Sequence, residues 1–443
     1  MMAEARVALV HDWLTGMRGG ERCLEALCDL FPEADLFTLL HVKGSVSDMI
    51  ESRRIHTSPI QTLPFAASRY RYYLPLFPWA IERFTLDGYE LVLSGSHCVA
   101  KGVKVPPEAL HIAYIYTPMR YIWDLHDTYV VPGRMGPLSR SMLRIIAGRL
   151  RRWDLAASER VDHFAAISRH VADRIRRHYG RDARVIYPPV ETCRFHIASQ
   201  PDDYYLVAGA LAPYKRIDLA IQAFNALRRR LFIVGEGQEN RRLRRMAGPT
   251  IEFLGRRPDD EFAELLGRCR ALIFPGEEDF GLLPVEAMAC GRPIIAYGRG
   301  GVTETVVPIN GSKFQVPSST FTDSFNPEPG TRNPELRSRT RNPEPGTAEP
   351  NPEPGTRNCG AEPGTRNPEL GVPTGVFFYE QTVASLIQAL ELFERSSDQF
   401  DPGALRAHAL TFDRSIFEKR MAAFVAECHE VWKGGTRDRG RPC

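Results

Sequence analysis

The sequence contains no Asp-x-Asp, no Cys-x-x-Cys and no long apolar run. Without Asp-x-Asp it lacks the usual carboxylate pair that holds a divalent metal against a diphosphate, so no metal site is expected. Nothing reaches the roughly 18 consecutive apolar residues of a membrane-spanning helix. The apolar stretch in the N-terminal "RVALVHDW" is about five residues, too short for a signal peptide. The nine cysteines are scattered, which suits reduced thiols in a cytoplasmic protein. The net charge of +3 is too small to argue for nucleic acid as a partner.

Present instead is an alternation of short apolar runs with helix-length amphipathic segments. Residues 6–10, 89–96, 111–117, 161–168 and 183–190 read as strands, with helices over 20–31 and 169–178. After "SQPDD" (199–203) a second series begins. Strands at 204–209, 231–235, 251–255, 271–274 and 293–297 alternate with helices at 215–229, 238–246, 259–269 and 284–290. The pattern predicts an α/β protein of two doubly wound domains, 1–195 and 200–410. An amphipathic helix over 415–432 opens a terminal segment, 411–443, expected to cross back to the first domain.

Residues 326–371 break the pattern. "EPGTRNPE" occurs at 328–335 and again at 362–369, with partial copies between. So polar a tract buries too little apolar surface to offset its ordering entropy. It reads as a disordered insertion, bounded at 311–372, within the second domain.

The stretch "PGEEDFGLLPVEAMACGRP" (275–293) follows an apolar strand. Ligands of open parallel sheets bind beyond such strand ends. Gly281 permits positive φ, and Pro284 suits a helix start near 283–284 whose free N–H groups favour phosphate. Glu286, placed in the first turn, serves either the helix dipole or the hydroxyls of a sugar. Glu278 by itself reads as a loop carboxylate.

Together, Glu-x7-Glu around Phe-Gly-Leu and the following Ala-x-Ala-Cys-Gly-x-Pro resemble the signature of the retaining family-4 glycosyltransferases of GT-B fold. "GALAPYKRIDLAIQAF" (209–224), "GRGGVTETV" (298–306) and "HDWLTGMRGGERCLEAL" (11–27) resemble further segments of that family. "YTPMRYIWD" (116–124) and "SHCVAKG" (96–102) are similar to a bacterial subgroup that builds polysaccharides and lipid-linked glycans, often by mannosyl transfer.

The resemblance implies two Rossmann-like domains facing across a cleft, and hexose transfer, with mannose and a GDP-mannose donor favoured. It needs no cofactor beyond that co-substrate. The acceptor would be a sugar hydroxyl of a glycan or lipid-linked glycan, and the reaction would retain anomeric configuration. Lys215, Glu278 and His97 are the implied catalytic residues. Gly19, Gly20, Arg216, Phe280, Gly281, Leu282 and Glu286 would bind the donor, with Glu286 on the ribose. Tyr116 and Arg120 are acceptor candidates. Relatives carry an Arg at the position of Ala210, for which Arg216 or another cation would compensate. A non-catalytic nucleotide-sugar binder and an epimerase or phosphorylase of the same fold are the alternative functions. The basic helix at 140–152 reads as a packed helix or as a peripheral contact with anionic lipid on the inner face of the membrane.

Overall fold

The computed structural model describes residues 5–123, 137–198, 200–309 and 372–435. Two parallel sheets organise them, and both belong to the unit formed by residues 1–312 and 372–443. The first sheet has the order β3-β2-β1-β4-β5-β6-β7. Its strands are β1 (Val7–His11), β2 (Asp35–Thr38), β3 (Ile55–Thr57), β4 (Leu91–Ser96), β5 (Leu110–Ile115), β6 (His163–Ala166) and β7 (Arg184–Val185). Every residue of β1, β4 and β5 is buried, the polar His11, Ser94, Ser96 and His111 included, so these mostly apolar strands show no alternation between an inner and an exposed face.

The second sheet repeats the plan with the order β10-β9-β8-β11-β12-β13. It comprises β8 (Tyr205–Ala208), β9 (Leu231–Val234), β10 (Ile251–Gly255), β11 (Leu272–Phe274), β12 (Ile294–Tyr297) and β13 (Gly375–Phe378). Strand order reverses beside β1 and again beside β8. Such switch points leave a crevice at the carboxyl ends, where no crossover covers the sheet. This is the GT-B architecture expected from the sequence.

Two local expectations shift. The helix after β11 runs Leu282–Ala289, so Pro284 is its third residue and Glu286 lies in the second turn. Proline is still tolerated there, because the first four N–H groups have no intrahelical partner. The strand expected at 183–190 shrinks to Arg184–Val185, since Pro188 and Pro189 donate no ladder bonds.

The terminal helix Arg414–Gly435 packs beside the first sheet. Phe417 lies 5.7 Å from Tyr114 of β5 between ring centroids, and Arg414 pairs with Asp29. Phe417, Met421, Val425 and Cys428 carry the buried stripe, whereas Val431 is 61% exposed. The repeat at 326–371 lies outside the described residues. Its flanks do not: Thr374 N–H donates to Val307 O at 2.8 Å, and Ile309 N–H to Gly375 O at 3.0 Å.

Candidate functional site

A cavity of about 610 Å³ lies where the carboxyl ends of the two sheets face each other. From the first sheet, Gly19 and Gly20 come after β1, and Tyr116 and Arg120 after β5. From the second come Lys215 after β8, Gly235 after β9, Arg256 and Arg257 after β10, and residues 278–283 with Glu286 after β11. One spatial site therefore gathers residues spread over most of the chain.

Lys215 and Glu278 are bonded to each other through Nζ and Oε1. The loops after β8 and β11 bring them together because strand β11 pairs beside β8. Both side chains keep partial access to the cavity. An incoming anion with hydroxyls can exchange this pair for bonds to itself.

Gly281 precedes the helix Leu282–Ala289 at φ +87°, a conformation unfavourable to side-chain-bearing residues. The helix start that it opens lines the cavity, and the dipole and free donors of a first helical turn favour an anion. Across the gap, a Cβ on Gly19 would lie 2.9 Å from Leu282 Cδ1, so glycine allows the two halves to approach.

Glu286 accepts a bond from Arg22 Nη1 at 3.2 Å, joining the second-sheet helix to the first-sheet helix Gly19–Leu30. Burial raises the Glu286 pKa, while the Arg22 charge opposes that rise. Arg22 also approaches Asp259 at 3.9 Å.

Arg216 does not line this cavity. It sits at φ +50° and is directed to Asp218 at 3.4 Å and Gln381 at 2.9 Å. Its side chain therefore does not bring a cation to the cavity. Arg256 and Arg257, exposed and lining the cavity, bring cations to the second-sheet wall instead. Sequence reasoning passed over them, although they directly follow the strand read at 251–255 and strand-end position was the available signal.

His97 is absent from the cavity lining among the described residues, but its ring centroid lies 6.3 Å from that of Tyr116, which lines it. His97 Nδ1 is 3.0 Å from Asp12 Oδ2. Asp12, fully buried after β1, also accepts backbone bonds from His97, Cys98, Val99 and Ala100 at 2.6–2.9 Å. Burial opposes charge on both partners. Their attraction prevails, raising the His97 pKa and lowering that of Asp12. His11 beside them has its pKa lowered to about 4 by burial, so its imidazole is neutral.

Tyr116 donates to Gly20 O at 3.2 Å, and Arg120 Nε lies 3.4 Å from Asp279 Oδ2. Asp279 also receives Arg174 Nη1 at 2.6 Å. Glu304 accepts from the backbone N–H groups of Arg169 at 2.8 Å and His170 at 3.0 Å. It thus satisfies donors at the start of the helix Arg169–Tyr179.

Two parallel sheets meeting at one anion-favouring cavity define a GT-B protein. Residues 17–194 match the family described as Glycosyltransferase Family 4, and residues 191–320 match Glycosyl transferases group 1. The chain has the GT-B fold, and each of its halves resembles glycosyltransferases. It is similar to an uncharacterized glycosyltransferase of Methanocaldococcus jannaschii, 30% identical over 158 residues; the match spans 34% of this chain and 44% of that one. A GDP-mannose-dependent alpha-mannosyltransferase of Mycobacterium tuberculosis is 27% identical over 314 residues, covering 66% of this chain and 74% of the relative. Among solved structures, Anabaena HepE in complex with UDP has a TM-score of 0.62 at 13% identity, over 95% of this chain and 100% of that chain. Sucrose-phosphate synthase from Thermosynechococcus elongatus gives 0.61 at 16%, over 97% and 100%. At these identities the structural likeness shows the fold alone.

Proposed function

We propose that the chain transfers a hexose, mannose being favoured, from a nucleotide-diphosphate sugar to a sugar hydroxyl of a glycan or lipid-linked acceptor. The observation that carries this reading is the convergence of Lys215, Glu278 and the Gly281 helix start on one cavity. Its size falls within the roughly 300–1,000 Å³ of small-ligand sites. The names of several relatives support the donor, being GDP-mannose-dependent mannosyltransferases.

On donor entry Lys215 exchanges Glu278 for the diphosphate. There it stabilises negative charge as the glycosidic bond breaks. Glu278 turns to the sugar hydroxyls, and Glu286 takes the ribose hydroxyls. The N–H groups of Phe280, Gly281 and Leu282 receive phosphate oxygens, with Gly19 and Gly20 closing from the facing sheet. Arg256 supplies the cation missing at Ala210. Tyr116 and Arg120 face the acceptor, and Asp12 holds His97 oriented behind Tyr116. Transfer retains configuration, with the leaving phosphate helping to deprotonate the acceptor on the same face. No metal or organic cofactor takes part.

The test is thermal stabilisation by a panel of nucleotide sugars, followed by transfer to glycan acceptors with Glu278→Ala as control. Stabilisation and transfer by the wild type, with transfer lost in the variant, is the expected result. Donor binding without turnover on any acceptor would favour a non-catalytic binder.

A further inference from the structure

The described residues contain ten large apolar side chains that stand exposed, and four fall within one short segment. These are Phe65 at 71%, Tyr72 at 81%, Leu76 at 45% and Trp79 at 48%. The segment follows β3 as a chain of short helical turns, Ala66–Arg69, Tyr70–Leu76 and Phe77–Ile81. It is not loose. Ala66, Tyr70, Phe77, Ala80 and Ile81 are buried in one apolar cluster, which fixes the backbone and displays the other side chains outwards.

The charges on this surface have one sign. Residues 65–81 include Arg69 and Arg71 but no acidic residue. Arg83 follows, and the adjoining Glu82 is committed to Trp153 Nε1 and Arg160 Nη2, each at 2.8 Å. The guanidinium of Arg69 lies 5.4 Å from the Phe65 ring centre, and that of Arg83 lies 4.7 Å from Trp79. Exposed aromatics interleaved with cations have apolar bodies that enter the headgroup boundary of a bilayer and charges that meet its phosphates. A water-facing surface would gain nothing from displaying Phe65 and Trp79.

We propose that this surface, centred on Phe65, Tyr72, Leu76 and Trp79, docks the enzyme on an anionic phospholipid membrane. The helix Pro137–Glu159, the sequence-level candidate for that contact, borders it. Its Ala147 and Leu150 are buried in the same cluster as Phe77, while Arg144, Ile145, Arg149 and Arg152 are exposed. The side chains of Met142 and Leu143 lie outside the described residues. The helix spends Ala147 and Leu150 on packing and adds the exposed Ile145 and three arginines beside the segment, whose four exposed apolar side chains supply the larger apolar contact among the described residues. The inference goes beyond the donor chemistry and does not depend on it.

Flotation of the purified full-length chain with phosphatidylcholine vesicles, with and without phosphatidylglycerol, tests the proposal. Binding is expected only with the anionic lipid, weakening as salt rises. The double variant F65S/W79S is expected to abolish most binding, and R69E/R83E to lower it by about five-fold or more per arginine. Both variants should keep the wild-type melting temperature and nucleotide-sugar stabilisation, because none of the four side chains is buried. Failure of the wild type to float, or flotation of F65S/W79S as complete as that of wild type, overturns the proposal. So does binding that R144E/R149E abolishes while F65S/W79S leaves it intact. Loss of a soluble protein partner by F65S/W79S without any vesicle binding would assign the surface to protein recognition instead.

Discussion

Arg22 and Glu286 meet at 3.2 Å although 264 residues separate them in the chain, and the bond ties a helix of one sheet to a helix of the other. Glu286 would not readily stay ionised in so buried a place without that cation. Replacing Glu286 with Gln is expected to weaken nucleotide binding by about 10- to 100-fold, the loss of a charge-assisted hydrogen bond. Calorimetric titration of the wild type and variant measures it. In Arg22→Ala the opposing charge is gone, so the Glu286 pKa rises further. Nucleotide affinity should then begin to fail at a higher pH as the solution is acidified.

The Lys215–Glu278 pair yields a non-additive prediction. Each single alanine variant should lower kcat/KM by about 100- to 1,000-fold, the usual scale for losing a transition-state electrostatic contact. For stability, each single change strands a partly buried partner. The double variant K215A/E278A should therefore lose less stability in urea than the two single losses added together.

At Gly281 the backbone is the functional group. Gly281→Ala must hold φ near +87° and brings Cβ within 3.3 Å of Phe274. A cost of about 1–3 kcal/mol is expected in urea unfolding, with weaker nucleotide binding as the helix start shifts.

The Asp12–His97 pair gives a pH signature. The His97 pKa is raised in the folded state above the ordinary 6.5, so its stabilisation is fully present below that value and is lost as pH rises through the folded pKa. The lowered Asp12 pKa has the opposite sense: its stabilisation holds above the ordinary carboxylate value and is lost as pH falls through the folded pKa. Melting curves of His97→Gln should show less loss of stability than wild type as pH rises above about 6.5.

The hydrogen-bonded flanks at 307–309 and 374–375 predict that deleting 326–371 leaves the fold intact. Shortening the connection should stabilise the protein by about 1 kcal/mol through loop entropy. Loss of cooperative unfolding in the deletion variant would refute the expectation.

Much of the fold was legible because buried parallel strands are written as dense apolar runs, as in Val7–His11 and Leu272–Phe274. β2 (Asp-Leu-Phe-Thr) and β3 (Ile-His-Thr) do not stand out in the sequence because polar residues interrupt them and neither forms an apolar run. Within the site, strand-end position and glycine pointed to the Gly281 helix start, whereas Lys215, Glu278 and Glu286 took their roles from the family resemblance of the segments that carry them. Arg216 could not be judged that way: its neighbour Lys215 lines the cavity, while its own left-handed backbone turns it to Gln381.

Local sequence determined the elements and the chemistry available at their ends, because apolar periodicity and glycine act over a few residues. Tertiary structure alone decided which charges meet. Arg22 reached Glu286, Asp12 reached His97, and Arg256 rather than Arg216 reached the cavity wall. Those pairings depend on how two sheets face each other and which way each strand end turns, and both follow from packing across hundreds of residues.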